Sequence, residues 1–311
     1  MPSRTLLAAL GALWVLVLTT PVSASPIPAS SAVPQTHAHN DYEHPNPLYD
    51  ALSWGFISAE ADIWLYPADN DNLRVAHDPV ADPTTLPTLQ ELYLDPLVQE
   101  FNSNSNGGIY ADGTPLHLLV DIKSADTTTY ARLHEILSEY AGANPGLFTT
   151  FTKTGQDTWE VVEGAVNISI SGNRPRADME EQDVRYAAYD GRASDIGSGA
   201  SSDFIRLISD NWNTFFGDFG WDGTGTMPTD ILTAIDTIVA EVHDEGKLLR
   251  FWNLPNDGPN LWGPLFDADV DYINTDDLAG LSSFVQQQVP VPATALLLMV
   301  GLLGLLRARR R

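Results

Sequence analysis

Short apolar runs and longer helical patterns alternate along most of the chain. Strand-like segments are Gln35–His39, Phe56–Leu65, Leu116–Ile122, Val166–Ser171, Phe204–Ser209, Leu248–Trp252 and Tyr272–Thr275, with a weaker eighth run at Leu147–Phe151. Between them, apolar residues recur every three or four positions over Leu48–Trp54, Leu86–Leu97, Thr128–Tyr140 and Pro228–Glu245, which predicts helices. Pro228 suits a first helical turn, and Gly246 stops the helix that follows it. Strand and helix in alternation over about 250 residues predict parallel strands joined by crossovers, most simply a single-domain (β/α)8 TIM barrel over residues 35–286. A doubly wound open sheet would fit the same alternation, but no Gly-rich phosphate loop follows the first strand.

The two ends read differently. Residues 1–24 combine Arg4, an apolar run from Leu6 to Leu18 and the small residues Val22-Ser23-Ala24, the pattern of a secretory leader for signal peptidase. Residues 25–34 are a Pro/Ala/Ser-rich lead-in. Residues 289–311 place VPVP before an apolar run closed by Arg307, Arg309, Arg310 and Arg311, which reads as an anchor with a basic stop. That tail resembles the PEP-CTERM sorting signal, with Val291 where the motif has Glu. The resemblance implies exosortase-type processing, transient membrane contact through this segment, and a Gram-negative cell-surface or secreted address.

Charge and cysteine content narrow the function. The chain carries 41 acidic and 16 basic residues, a net charge of −25. Five of those basic residues lie in the terminal segments and no acid does, so the region between is more acidic still. That excludes a nucleic-acid partner held by a basic footprint. Cysteine is absent, so stability rests on a core and not on disulfides.

Barrel enzymes carry their chemistry at the C-terminal ends of the strands, and the reactive residues fall there. His39 ends the first strand. Glu60 and Asp62 share one face of the second, since strand side chains repeat every two residues. His77 and Asp78 follow LRVA, Asp121 and Lys123 close LLVDIK, and Trp252 and Asn253 end LLRFWN. Glu60, Asp62 and Asp121 form an all-oxygen set suited to a hard divalent cation, Mg²⁺ or Ca²⁺. His39 and His77 are candidates for a general acid–base pair, and Lys123 offers a positive point charge to a phosphate oxygen. His37 is read as facing away from His39 and as structural or supporting the site from behind, and His44 as solvent-facing. The aromatic stretch at 211–223 is read as a barrel-mouth loop, a lid or rim that meets lipid, and Asp69-Asn70-Asp71-Asn72 as a turn. Arg174 is a candidate anion contact at the mouth, with an exposed loop arginine of no role as the slightly favoured alternative.

AHND (38–41), AEADIWL (59–65), RVAHD (74–78), VDIKS (120–124) and INTDD (273–277), in this order and spacing, resemble the PLC-like phosphodiesterase superfamily. That superfamily is a TIM barrel that includes glycerophosphodiester phosphodiesterases and sphingomyelinase D-type enzymes. The resemblance implies His39 and His77 as the catalytic pair, Glu60, Asp62 and Asp121 as divalent-metal ligands, Lys123 as a phosphate contact, and Trp252 and Asn40 as pocket residues. It implies cleavage of a glycerophosphodiester or phospholipid-type substrate. Two departures stand out: Asn40 and Asp41 follow His39 where glycerophosphodiesterases carry Arg-Gly, and the third acid is Asp121 where they carry Glu. The competing expectation is a non-catalytic surface or matrix barrel that keeps the fold and a cation. A sugar hydrolase would need a carboxylate acid–base pair, against which the two histidines argue.

Overall fold

A computed structural model describes residues 31–289. The leader (1–24), all but the last four residues of the lead-in (25–34) and the basic apolar tail lie outside the described residues, except that Val289 closes the described part.

The chain starts with β1 (Thr36–Ala38), turns through α1 (Tyr49–Ser53) into β2 (Ser58–Tyr66), and folds back as β3 (Asn72–Val75). A single π-helical turn (Gln90–Leu94) runs into α2 (Asp95–Ser103), which leads to β4 (Leu116–Ile122) and α3 (Asp126–Ala143). An excursion follows: β5 (Thr150–Gly155) and β6 (Thr158–Val162) form a hairpin before β7 (Val166–Gly172). Then come α4 (Arg176–Glu181), β8 (Val184–Arg185), β9 (Ala188–Gly191), β10 (Ile205–Asn211), α5 (Trp212–Phe216), α6 (Thr229–Asp244), β11 (Leu248–Trp252), α7 (Pro259–Asp267), β12 (Ile273–Thr275) and α8 (Leu278–Gln288). Eight of these strands pair in parallel in the order β12-β1-β2-β4-β7-β9-β10-β11. The ring is nearly closed by a single bridge between Arg250 and Tyr272 and by the Tyr272 amide donating to the Leu249 carbonyl at 3.2 Å. This is the expected (β/α)8 barrel.

The seven stronger strand expectations are met within a few residues. The eighth is corrected. Leu147–Phe151 does not enter the barrel: its end becomes β5, which joins β6 and β8 in a separate antiparallel sheet. The barrel's missing strand is β9, whose sequence AYDG holds an aspartate and a glycine in four residues and so lacks an apolar run. All four are buried, because both edges are paired and both faces covered.

Burial separates the two faces of each strand. Ala59, Ala61, Ile63, Leu118, Val120 and Ile122 join the large core beneath the helices. Inside the barrel, apolar packing shrinks to Leu119, Leu207 and Tyr272, flanked by Ile57 and Leu248. Polar groups fill the rest of the interior, and His117 is the sharpest case. It is buried against the Tyr272 ring at 4.9 Å, and neither ring nitrogen has a hydrogen-bond partner among the described residues. Burial, then the charges of His37, Arg206 and Arg250, lower its pKa from 6.5 to about 3. The unfolded chain therefore takes this proton first, and the protein loses stability as pH falls from about 6.5 towards about 3. His37 titrates in the same direction, lowered to about 3 chiefly by burial. Asp41 and Asp62, raised to about 6 by burial, oppose the trend, since their folded forms hold protons between 3.8 and about 6. For each of the two histidines the sign is the same: a proton taken first by the unfolded chain makes acid destabilising. We expect His117→Leu to flatten the fall of the urea midpoint between pH 7 and pH 4; an unchanged slope would contradict the assignment.

Candidate active site

β2 and β4 run in parallel with Asp62 opposite Asp121 and Glu60 opposite Leu119. Two strands thus deliver three inward carboxylates at the C-terminal end of the barrel. Ligand oxygens of Glu60, Asp62 and Asp121 all lie within 4.8 Å of one another. Lys123 Nζ sits 3.1 Å from Asp62 Oδ2 and 3.3 Å from Asp121 Oδ2, and the Tyr42 hydroxyl donates to Asp62 Oδ2 at 2.8 Å. The second oxygens, Asp62 Oδ1 and Asp121 Oδ1, are buried without a hydrogen-bond partner among the described residues. Two bare carboxylate oxygens inside a protein are costly unless protonated or met by a cation. Burial, with Glu60 next for Asp62 and against the opposing pull of Lys123, raises both aspartates above the usual carboxylate range, Asp62 to about 6. The donor set therefore fits a hard divalent ion by chemistry and by its unmet valence.

Glu60 is held differently. Its Oε2 accepts from Arg250 Nη2 at 2.8 Å and faces His37 Nε2 at 3.3 Å. Burial alone would raise its pKa, but Arg250 and His37 outweigh it and keep Glu60 ionised well below the usual range. Arg250 also grips Asn274 Oδ1 through Nε at 2.9 Å and Nη2 at 2.6 Å, and His37 Nδ1 lies 2.7 Å from Ser58 Oγ. The expectation that His37 faces away from His39 is corrected: residues two apart on a strand share a face, and His37 points into the barrel. It is structural, as expected, but it supports Glu60 directly. Sequence reasoning missed Arg250, although a charged residue amid LLRFW was a visible signal.

A cavity of 430 Å³ opens above the acids. Its lining includes His39, Asn40, Glu60, His77, Asp121, Lys123, Arg192, Arg250 and Trp252. The residues expected to act as catalysts, metal ligands or phosphate and pocket contacts are thus all in its wall except Asp62, which lies buried beside Lys123, and Arg174. His39 Nδ1 is 2.8 Å from Asp276 Oδ1, which leaves Nε2 for chemistry. Asp276 in turn is seated by its amide on Asp257 Oδ2 at 2.9 Å. His77 stands on the rim, its side chain 56% exposed, with Asp78 no closer than 3.6 Å. Asn40 is left-handed at φ 45, a conformation asparagine tolerates, and its Oδ1 accepts from Tyr42 at 3.0 Å, tying the histidine loop to Asp62 through one phenol. A second cavity of 670 Å³ shares His39 and Trp252 with the first and is walled by Asn211, Asn253, Asn256, Asn274 and Thr275.

Gly172, at the end of β7, faces Asp121. It has φ +67, and a Cβ placed there would stand 2.0 Å from Asp121 Oδ1 and 2.5 Å from the Ile122 carbonyl. Gly172→Ala is expected to displace Asp121 and cost about 1–3 kcal/mol. Calorimetric titration with Mg²⁺ or Ca²⁺ beside thermal unfolding checks both effects; unaltered ion binding and Tm would refute it.

Other expectations change. Residues 212–216 of the aromatic stretch form α5, not an irregular loop, and Trp212 and Phe216 pack against Phe251 at 5.9 and 5.3 Å between ring centroids. They belong to the core and not to a lipid-facing rim. Residues 69–72 are a turn, with Asn70 and Asp71 left-handed. Arg174 is not a free anion contact: it donates to the Asp190 carbonyl and lies over the Tyr189 ring at 4.8 Å.

A parallel (β/α)8 barrel with three convergent acids, two histidines and a lysine at its C-terminal mouth has the build of a PLC-like phosphodiesterase. The chain belongs to the AIM6-like phosphodiesterase domain family, whose model matches residues 29–190. Among its relatives, altered inheritance of mitochondria protein 6 of Lachancea thermotolerans is 30% identical over 80% of this chain and 65% of its own length. This chain therefore spans slightly under two thirds of that relative. The protein of the same name from Eremothecium gossypii is 30% identical over 80% of this chain and 69% of the relative. In fold, the chain is similar to a glycerophosphodiester phosphodiesterase from Parabacteroides distasonis, with TM-score 0.51, 14% identity, and coverage of 83% of this chain and 99% of that one. A second such structure, from Silicibacter pomeroyi, gives TM-score 0.50 and 13% identity over 84% of this chain and 95% of that one. The Gram-negative, cell-surface address expected from the termini is corrected by these relatives, which are fungal proteins named for mitochondrial inheritance. No helix among the described residues is long and apolar enough to cross a membrane.

Proposed function

We propose that this chain is a divalent-cation-dependent phosphodiesterase that cleaves a polar phosphodiester by histidine acid–base catalysis. The observation that carries the proposal is one cavity walled by His39, His77, Lys123, Glu60 and Asp121, with Asp62 buried beside it and a bare buried oxygen on each aspartate. A divalent ion held by Glu60, Asp62 and Asp121 would supply charge neutralisation at the non-bridging phosphate oxygens. Lys123, already fixed between two of those acids, adds a second positive contact to the phosphate.

His39 is the general base in this reading. A carboxylate on Nδ1 selects the tautomer with Nδ1–H, so Nε2 carries the free lone pair. It takes the proton of the attacking hydroxyl as the new P–O bond forms. His77 gives its proton to the leaving alcohol as the old P–O bond breaks. Asn-lined space next to His39 and Trp252 suits a hydroxyl-rich alcohol better than an acyl chain. Among the described residues, the large exposed apolar ones, Trp54, Val162, Phe219 and Val289, line neither cavity, which supports a water-soluble substrate.

The test is hydrolysis by the purified chain of glycerophosphodiesters, a lysophospholipid and an aryl phosphodiester, each with Mg²⁺, Ca²⁺ or chelator. Turnover of the glycerophosphodiesters with either ion, lost on chelation, is expected. Silence on all of them would end the enzyme reading, and turnover of the lysophospholipid alone would end the polar-substrate part.

A further inference from the structure

We infer that Arg192 is a phosphate-binding residue of this site, a bidentate contact that reaches the substrate from the end of β9, two strands along the barrel from Asp121. The inference rests on the phosphodiesterase reading and adds a ligand contact to it. Three basic side chains line the cavity: Lys123, Arg192 and Arg250. Arg250 is spent on Glu60 and Asn274, and Lys123 is flanked by two carboxylates. Arg192 is anchored from behind by one end only. Its Nη1 donates to the fully buried Asp190 carboxylate at 2.6 Å and to the Gly191 carbonyl at 2.9 Å. Its Nη2 gives one hydrogen to Ser171 Oγ at 3.2 Å. The Nε–H has no hydrogen-bond partner among the described residues and Nη2 keeps one hydrogen unspent, so the Nε/Nη2 side of the guanidinium retains two donors.

That edge is a ready fork for two phosphate oxygens, and a guanidinium prefers this pairing to a single contact. The fork is also held still. The Arg192 amide donates to Asp195 Oδ2 at 2.9 Å, Asp195 Oδ1 is tied to Arg176 at 2.7 Å, and the next amide, Ala193, donates to Asp210 Oδ2 at 3.0 Å. A side chain locked on both its backbone and its far end loses little entropy on meeting a ligand. The contacts that hold the fold together thus leave donors unspent on a half-buried arginine that lines the cavity.

The experiment compares the purified full chain with Arg192→Gln and Arg192→Lys, by calorimetric titration with inorganic phosphate in the presence of Mg²⁺ and by kcat and KM on a glycerophosphodiester. Arg192→Lys keeps a positive charge beside Asp190 and guards against a variant that does not fold. We expect Arg192→Gln to weaken phosphate binding by about 10-fold or more and to lower kcat/KM by about 100-fold, with Mg²⁺ binding unchanged. Arg192→Lys should fold and lie between, since a point charge replaces the fork. Phosphate binding equal in all three proteins, or absent from the unaltered chain, would overturn the inference. If the unaltered chain binds phosphate but hydrolyses no phosphodiester, the enzyme reading fails while a loss of binding in Arg192→Gln still upholds the contact.

Discussion

His39→Ala is expected to lower kcat/KM on a glycerophosphodiester by about 10²–10⁴-fold while leaving Tm nearly unchanged. The side chain is about one third exposed and its one side-chain hydrogen bond among the described residues is to Asp276, itself 73% exposed, so little folding energy rests on it. Its removal takes away the proton acceptor at the junction of the two cavities. Asp276→Asn separates positioning from chemistry. The amide keeps the shape but no longer selects the Nδ1–H tautomer by charge, so kcat should fall less than in His39→Ala and its pH profile should move. Steady-state kinetics across pH 5–9 on both variants read this. Equal activity in His39→Ala would remove the histidine from the mechanism.

Arg250→Ala is expected to cost about 3–5 kcal/mol in stability. Arg250 is 2% exposed, and its loss strands Glu60, which is 5% exposed, with only a neutral histidine for company. The Asn274 carbonyl oxygen loses both of its donors as well. A buried carboxylate without its cation would take up a proton, which also removes a ligand from the acid cluster. The diagnostic variant is therefore the pair Arg250→Ala with Glu60→Gln. Removing both charges should recover part of the loss, because the penalty lies in the unpaired ion and not in the lost contact. Chemical denaturation of the two single variants and the double variant measures the coupling. Additive losses would show that Glu60 and Arg250 are not a working pair.

How far the sequence was legible follows from where each residue's evidence lies. Periodicity found seven barrel strands because their runs are apolar on the outer face. It failed at β9, where Ala188, Tyr189, Asp190 and Gly191 are buried by tertiary pairing that no local pattern records. Leu147–Phe151 misled for the converse reason: Leu147, Phe148 and Phe151 are buried in the main core, but the run only bridges β7 at Phe148 before the chain leaves as the β5–β6 hairpin. The acid cluster was legible because alternation on β2 places Glu60 and Asp62 on one face and the parallel register sets Asp62 opposite Asp121. The supporting ions were not. Arg250 meets Glu60 across 190 positions of sequence, and His39 meets Asp276 across 237. Such partners emerge only when the ring closes. The direction of His37, though not its supporting role, was misplaced by a misread strand period: its ring faces Glu60 inside the barrel.

The measurement that bears most directly on the central claim is the rate of glycerophosphodiester hydrolysis by the chelator-stripped chain as Mg²⁺ or Ca²⁺ is restored, with Asp121→Asn alongside. The account predicts that activity returns saturably with one of the ions and that Asp121→Asn needs far more of it or does not recover. Full activity in chelator, identical in the two proteins, would contradict a cation at Glu60, Asp62 and Asp121.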